Sequence, residues 1–147
     1  MTPLFVSNPR LHALGLAILR IVTGIAFAGH GYQKLFVFGI AGVQRAFAGM
    51  GAPLPMITGP LIGCLEFFGG IALIVGLLTR LAALGLAFDM LGAIVIVGLA
   101  KGLSVPLHFE LELELFAASV ALALAGAGSF SLDSIIAGRT SGGTAKR

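Results

Sequence analysis

Three ionisable side chains, Arg20, Glu66 and Asp89, stand well inside long apolar stretches, and the chemistry open to them is acid–base chemistry away from water. A charge at the centre of a membrane-spanning helix costs about 2.5–3.5 kcal/mol on the gentlest scale, so such a residue faces a partner or a functional cavity. Arg20 stays protonated. One carboxylate can pair with it, and the other is then left uncompensated and protonated at neutral pH. Glu66 is the expected partner, because Gly59, Gly63 and Gly70 share its helical face and let the first two helices close on it. The pair either locks a bundle or makes a proton or ligand site. Asp89, with no base nearby in sequence, is the better proton carrier of the two acids.

A second set, His30, Lys34, Lys101, His108, Glu110, Glu112 and Glu114, falls at the ends of the apolar stretches. His30 and Lys34 are neighbours on one helical face, as are Glu110 and Glu114, while Glu112 points away and lies four residues from His108. Such a mixture suits zinc or iron, or else a solvated, mutually paired helix rim; no two histidines stand four apart. Cys64 is the sole cysteine, so a disulfide within one chain is excluded, and a packed, inert thiol is expected.

The elements that must position these groups are helices. The apolar stretches run over Leu11–His30, Ile57–Leu78, Leu81–Ala100 and Leu111–Ala125. A membrane span needs about 20 mostly apolar residues, which the first three supply; the fourth is shorter unless its glutamate-containing start also enters the membrane. Ala26-Phe27-Ala28 resembles a signal-peptide cleavage site, but Arg20 interrupts the apolar run and the stretch is too long, so it reads as the first span. Between the first two spans, Ile40, Val43, Phe47 and Met50 recur at helical spacing opposite Gln44 and Arg45, predicting a short helix in the membrane interface, either a passive connector or a lid. Leu77-Leu78-Thr79-Arg80 joins the second and third helices in a tight antiparallel hairpin. Glycine, 22 residues in all, is placed inside the spans largely to let helix backbones approach.

Composition agrees. Of 147 residues, 58% are hydrophobic and 10% charged, and the mean hydropathy is +1.07. A soluble domain carries about 25% charged residues. The expectation is an all-α, polytopic membrane four-helix bundle over residues 1–137, followed by a disordered cytoplasmic tail over 138–147. The base excess, nine against six, is spread out and marks membrane edges rather than nucleic acid. With both termini cytoplasmic, Arg10, Arg80, Arg139, Lys146 and Arg147 fall inside and Lys34, Arg45 and Lys101 outside, the orientation that basic residues favour.

The run Glu66-Phe67-Phe68-Gly69-Gly70, followed by Leu73, Gly76, Leu77, Leu78, Thr79-Arg80 and Ala82-Ala83, resembles the centre of the DoxX family of small bacterial membrane proteins. Leu19-Arg20, Gly24, Phe27, His30-Gly31, Lys34-Leu35 and Phe38-Gly39 are similar to its first helix and following loop. Gly126-Ala127-Gly128 and Ser131-Leu132-Asp133 resemble its closing turn, at a spacing that aligns Glu110 with the family's acid at the start of the last helix. Where the family has a glycine-aromatic pair before that acid, this chain has Leu107-His108-Phe109. The resemblance covers about residues 15–134 and implies a four-helix protein of the bacterial inner membrane. It also implies a link to oxidoreductase systems, one branch resembling the membrane subunit of thiosulfate:quinone oxidoreductase and others associated with quinone or thiol stress.

The leading expectation is a membrane component of a redox system with a site for a quinone-like amphiphile between helices. Glu66 and Asp89 are its acid–base candidates, and Arg20, His30, Lys34 and Glu110 its binding candidates. No strand-turn-helix glycine motif for a flavin or dinucleotide is present, so electrons would come from a partner oxidoreductase subunit. The competing readings are a proton-coupled small-molecule exporter and a scaffold or assembly factor without chemistry; homo-oligomers fit any of these.

Overall fold

The structure, a computed structural model, describes residues 8–101 and 109–142. His108 lies outside the described residues. Six α-helices follow in order: α1 (Pro9–Tyr32), α2 (Gly39–Gly49), α3 (Pro55–Val75), α4 (Thr79–Lys101), α5 (Glu110–Ala125) and α6 (Leu132–Gly142), with a π-helical stretch, Gln33–Phe38, between α1 and α2. There is no strand among the described residues.

Local chemistry sets the boundaries. The Asn8 side chain accepts a hydrogen bond from the Arg10 N–H at 3.0 Å, and Pro9 occupies the first turn of α1, where its missing N–H is harmless. The turn from α3 to α4 closes on Gly76 at φ 71°, with the Leu77 N–H bonded to Ala72 O at 2.9 Å. A left-handed residue at this point is strained for anything but glycine. The π-helical stretch ends on Gly39 at φ 68°, which redirects the chain into α2. Ser131 Oγ accepts the Ser134 N–H at 3.1 Å and so caps α6. That helix reaches Gly142, so part of the stretch read from composition as a tail is helical.

Three of the helical runs are long and apolar enough to cross a membrane: Pro9–Gly49, Pro55–Val75 and Thr79–Ile96. The fourth expected stretch forms α5, whose 16 residues extend about 24 Å, short of the roughly 30 Å hydrocarbon core. The outward faces are apolar: Ile18, Val22 and Ile25 on α1, Leu61, Phe68 and Ile71 on α3, and Leu81, Leu84, Phe88 and Leu91 on α4. Cys64 is also exposed on the outer face of α3, so the expectation of a packed thiol is not met.

The inward faces hold the small and polar residues. Buried positions of α1 are Ala17, Arg20, Thr23, Gly24, Phe27 and Gly31, and those of α3 are Gly59, Gly63, Glu66, Gly69, Gly70 and Leu73. The spacing of three or four residues draws one stripe down each helix. Where the stripes meet, a methyl group on Gly24 would stand 2.7 Å from Gly70 O, and one on Gly31 would overlap the Phe67 backbone. Phe27, Leu73, Leu86 and Leu122 form the fully buried apolar centre of α1, α3, α4 and α5.

Helix α2 is held differently. Pro60 lies inside α3 and cannot donate to Met56 O; the Gln44 side chain on α2 donates to that carbonyl instead, at 2.9 Å. Val43 is the one buried residue of α2, against Gly59.

Gly31→Val is expected to destabilise the fold by about 1–3 kcal/mol, because overpacking against backbone cannot be relieved by a rotamer change. Thermal unfolding in detergent, followed by circular dichroism, checks it, with Gly15→Ala, which has open space around it, leaving the midpoint in place.

Candidate functional site

The contact of α1 with α3 decides which polar groups can meet. Gly24 lies opposite Gly70 and Gly31 opposite Phe67, so the antiparallel register puts Gly76, not Glu66, beside Arg20. A methyl group at Gly76 would stand 2.5 Å from Arg20 Nη1. Glu66 is ten residues away along α3, about 15 Å. The expected Arg20–Glu66 pair therefore does not form, and the polar groups separate into two centres.

The first centre is built around Arg20, which is only 2% exposed. Its Nη1 donates to Ala127 O and its Nη2 to Phe130 O, both at 2.6 Å, clamping the connection between α5 and α6 onto α1. Asp133 completes this end. Its two carboxylate oxygens accept the N–H groups of Leu78 at 2.8 Å and Thr79 at 3.0 Å, capping α4, and its own N–H donates to Gly76 O at 2.9 Å. Leu78 takes φ 49° in making that bond. Burial works against ionisation of Asp133, but the Thr79 and Leu78 N–H groups, with attraction from Arg20, outweigh it and hold the carboxyl below its ordinary value. Arg20, one of the binding candidates read from the sequence, thus clamps the connection between α5 and α6 and is not among the residues that line the cavity described next.

The second centre lies at the other end of the bundle. Lys34 Nζ donates to Glu66 Oε2 at 2.5 Å, joining the π-helical stretch to α3 across an ion pair in which Glu66 is 2% exposed and Lys34 24%. Asp89 on α4 interacts electrostatically with Glu66 and with Lys34. Its side chain is 8% exposed, and Oδ2 has no hydrogen-bond partner among the described residues. These three groups line one end of a cavity of about 440 Å³. Its other walls are mostly apolar: Phe47, Met50, Ala52, Pro53 and Ile62 on the side of α2 and α3, and Phe88, Met90, Ala93, Ile96, Leu111 and Leu115 on α4 and α5. His30 and Glu112 add polar groups to the lining.

Four of the six candidates read from the sequence, Glu66, Asp89, His30 and Lys34, therefore share this cavity, and Arg20 does not. Glu110 and Glu114 are exposed at the start of α5 and do not line it either, whereas Glu112, one step round the helix, does. Glu112 is the lining residue that the sequence hides: its place opposite Glu110 and Glu114 was legible, but not what it faces. Among the described residues, no group of three histidine, cysteine, aspartate or glutamate side chains could hold a metal ion.

What the arrangement can do follows from its charges. Lys34 neutralises one carboxylate, and a second carboxyl, on a residue that lines the mostly apolar cavity, stands beside the pair with one buried oxygen unpaired. Such a site can hold a small polar head by hydrogen bonds while its apolar body rests on the walls, and it can hold or release a proton.

Removing Arg20 is expected to cost about 3 kcal/mol, since two charge-assisted bonds are lost and two carbonyls are left unpaired. In double-mutant cycles read by thermal unfolding, Arg20→Ala and Asp133→Ala are expected to couple by more than about 0.5 kcal/mol, and Arg20→Ala and Glu66→Ala to add within that margin. Because the folded carboxyl of Asp133 is held low, its stabilising share is complete above its unfolded value of about 3.9 and is lost as pH falls through the lower folded value. Acid unfolding of Asp133→Asn should accordingly lack that component.

Comparison with known proteins gives three related sequences and one family. A family model described as DoxX matches residues 15–99. "Putative oxidoreductase CatD" of Bacillus subtilis is 35% identical over 86 residues, 58% of this chain and 61% of that protein. "Uncharacterized membrane protein Rv3486" of Mycobacterium tuberculosis is 38% identical over 97 residues, 63% of this chain and 59% of that protein. "Inner membrane protein YqjF" of Escherichia coli is 40% identical over 75 residues, 51% of this chain and 55% of that protein. The chain thus spans between 55% and 61% of the length of these curated relatives. No solved structure gives a significant match.

Proposed function

This chain belongs to the DoxX family of membrane proteins, and from that premise we propose that it is an inner-membrane component of a redox system, holding a quinone-like amphiphile in the cavity between α2, α3, α4 and α5. The observation that carries the reading is a polar cluster, Lys34, Glu66 and Asp89, on a mostly apolar cavity, each of the three standing in a helical run long enough to cross a membrane. The volume, about 440 Å³, lies within the 300–1,000 Å³ typical of small-ligand pockets.

The residues fit such a group. The orphaned Asp89 Oδ2 calls for a hydrogen-bond partner, and Phe47 and Met90 offer aromatic and apolar surface for a flat ring. A bound quinone would supply carbonyl oxygens that take up electrons and protons. The chain's own share is to orient the head, exclude water and hold a proton at the carboxyl pair, with electrons coming from a partner protein. The printed name of the Bacillus subtilis relative speaks for an oxidoreductase link. In this reading α5 completes a four-helix bundle, α2 lies in the membrane interface, and both termini face the cytoplasm.

Two measurements test the proposal. A reporter fused after Arg147 is expected to be cytoplasmic. Purified protein in lipid nanodiscs is expected to bind decylubiquinone in a calorimetric titration, and Glu66→Gln to weaken that binding about tenfold without loss of expression. Glu114→Gln, on the exposed face of α5, is the control. Absence of binding by the parent protein, with resistance to cationic dyes conferred on cells and lost in Glu66→Gln, would give the site to an exporter instead.

A further inference from the structure

We propose that Asp89, as a neutral carboxylic acid, is the group that touches the ligand, and that the cavity selects an uncharged head bearing a carbonyl or hydroxyl oxygen over any organic cation. This rests on the reading of the cavity as an amphiphile site and specifies its chemistry.

The argument begins with charge. Lys34 and Glu66 form a close ion pair, with Glu66 almost wholly buried. The pair uses the one cation that reaches this end of the bundle from the π-helical stretch. Asp89 sits beside it with more than nine-tenths of its surface buried, so an ionised Asp89 would be a second anion beside Glu66 without a cation of its own. A shared neighbourhood of two carboxyls and one ammonium is electrically neutral only with one proton on a carboxyl, and the acid without an ion-pair partner is Asp89. The remaining ionisable walls do not alter the count. Glu112 on α5 and His30 on α1 are both partly exposed, and no ion pair joins either to the three-residue cluster.

Hydrogen bonding then gives the ligand class. A protonated carboxyl has an O–H to donate and a carbonyl oxygen to accept with. Oδ2 of Asp89 has no partner among the described residues, although it is buried and its side chain lines the cavity. A buried polar atom without a partner is costly, and a ligand carbonyl or hydroxyl would satisfy it. Beside Asp89 a cation would find no free anion, because the charge of Glu66 is already spent on Lys34, and Glu112 stands on the α5 wall apart from that pair.

Glu66 and Lys34 are then positioning residues. Glu66→Gln strands the Lys34 charge and transfers the anionic role to Asp89, which loses its proton and its ability to donate. Removing both charges together, as Lys34→Gln with Glu66→Gln, leaves Asp89 neutral again.

The test uses the full chain in nanodiscs with decylubiquinone and, separately, tetraphenylphosphonium as the cationic probe. Asp89→Asn keeps an uncharged donor and acceptor and is expected to bind decylubiquinone within about threefold of the parent. Asp89→Leu is expected to bind about tenfold more weakly, the worth of one hydrogen bond. The Lys34→Gln/Glu66→Gln double variant is expected to recover the binding that Glu66→Gln loses, and tetraphenylphosphonium is expected not to compete. In infrared spectra at neutral pH, the carboxylic-acid carbonyl band is expected to be present in the parent and absent in Asp89→Asn, which reads the protonation without any ligand. Parental affinity in Asp89→Leu, competition by the cation, or a band that survives Asp89→Asn would overturn the inference while leaving quinone binding itself intact. A parent that binds no decylubiquinone would overturn the underlying reading, and the inference with it.

Discussion

The rest of the molecule depends on the backbone contact between α1 and α3. Gly24, Gly31 and Gly70 leave no room for a side-chain carbon at the crossing, so the register the two helices adopt is one that only glycine permits at these positions. In lipid, where apolar faces gain nothing by leaving the solvent, close backbone approach and internal hydrogen bonds do the work that water expulsion does elsewhere. That register assigns neighbours: Arg20 receives Gly76 and the α5–α6 connection, and Glu66 receives Lys34. The separation of a structural end from a cavity end is a consequence of where three glycines fall.

The two ends solve the same problem by different means. Arg20 is compensated mainly by carbonyl dipoles, with Asp133 adding attraction at longer range; its hydrogen bonds go to backbone, which cannot move away. The hydrogen bonds of Arg20 and Asp133 go to chain that turns, which suits fixing α4 and α6 in place. At the cavity end the compensation is between side chains alone, and it is incomplete at Asp89 Oδ2. Four buried polar atoms lack a hydrogen-bond partner among the described residues, Arg20 Nε, Thr79 Oγ1, Asp89 Oδ2 and Ser119 Oγ, and of these only Asp89 Oδ2 belongs to a residue that lines this cavity.

Much of this was legible in the sequence, and the misses share one cause. Apolar runs located α1, α3 and α4 to within about three residues at either end, because periodicity and length are local properties. The family was legible from the order of its motifs. The helical face of Glu112 was readable, since position around a helix depends only on spacing. What failed was the pairing of Arg20 with Glu66, because residue types say which charges need partners but not how far one helix slides along another. Both α1 and α3 carry glycines at several heights, and more than one register could have brought small residues together. The role of Asp133 was hidden for a related reason: its partners, Leu78 and Thr79, are 54 or 55 residues away and offer backbone N–H groups that no side-chain pattern advertises. Nothing in the periodicity announced that Lys34 would sit on a π-helical turn.

Pro60 has a bearing on how the cavity is walled. By withholding an N–H it leaves Met56 O open, and Gln44 fills the gap with a single side-chain bond. Val43 is the one fully buried side chain of α2, and the helix is bounded by glycines at φ 68° and 73°. Free energies of local opening range from near zero at weakly anchored segments up to the full unfolding value in the core. A short helix with one buried side chain lies lower in that range than α1 and α3, each of which buries a stripe of six residues. Since Phe47 and Met50 at the end of α2 are part of the cavity wall, any displacement of this one segment would widen the cavity even with the four longer helices still assembled.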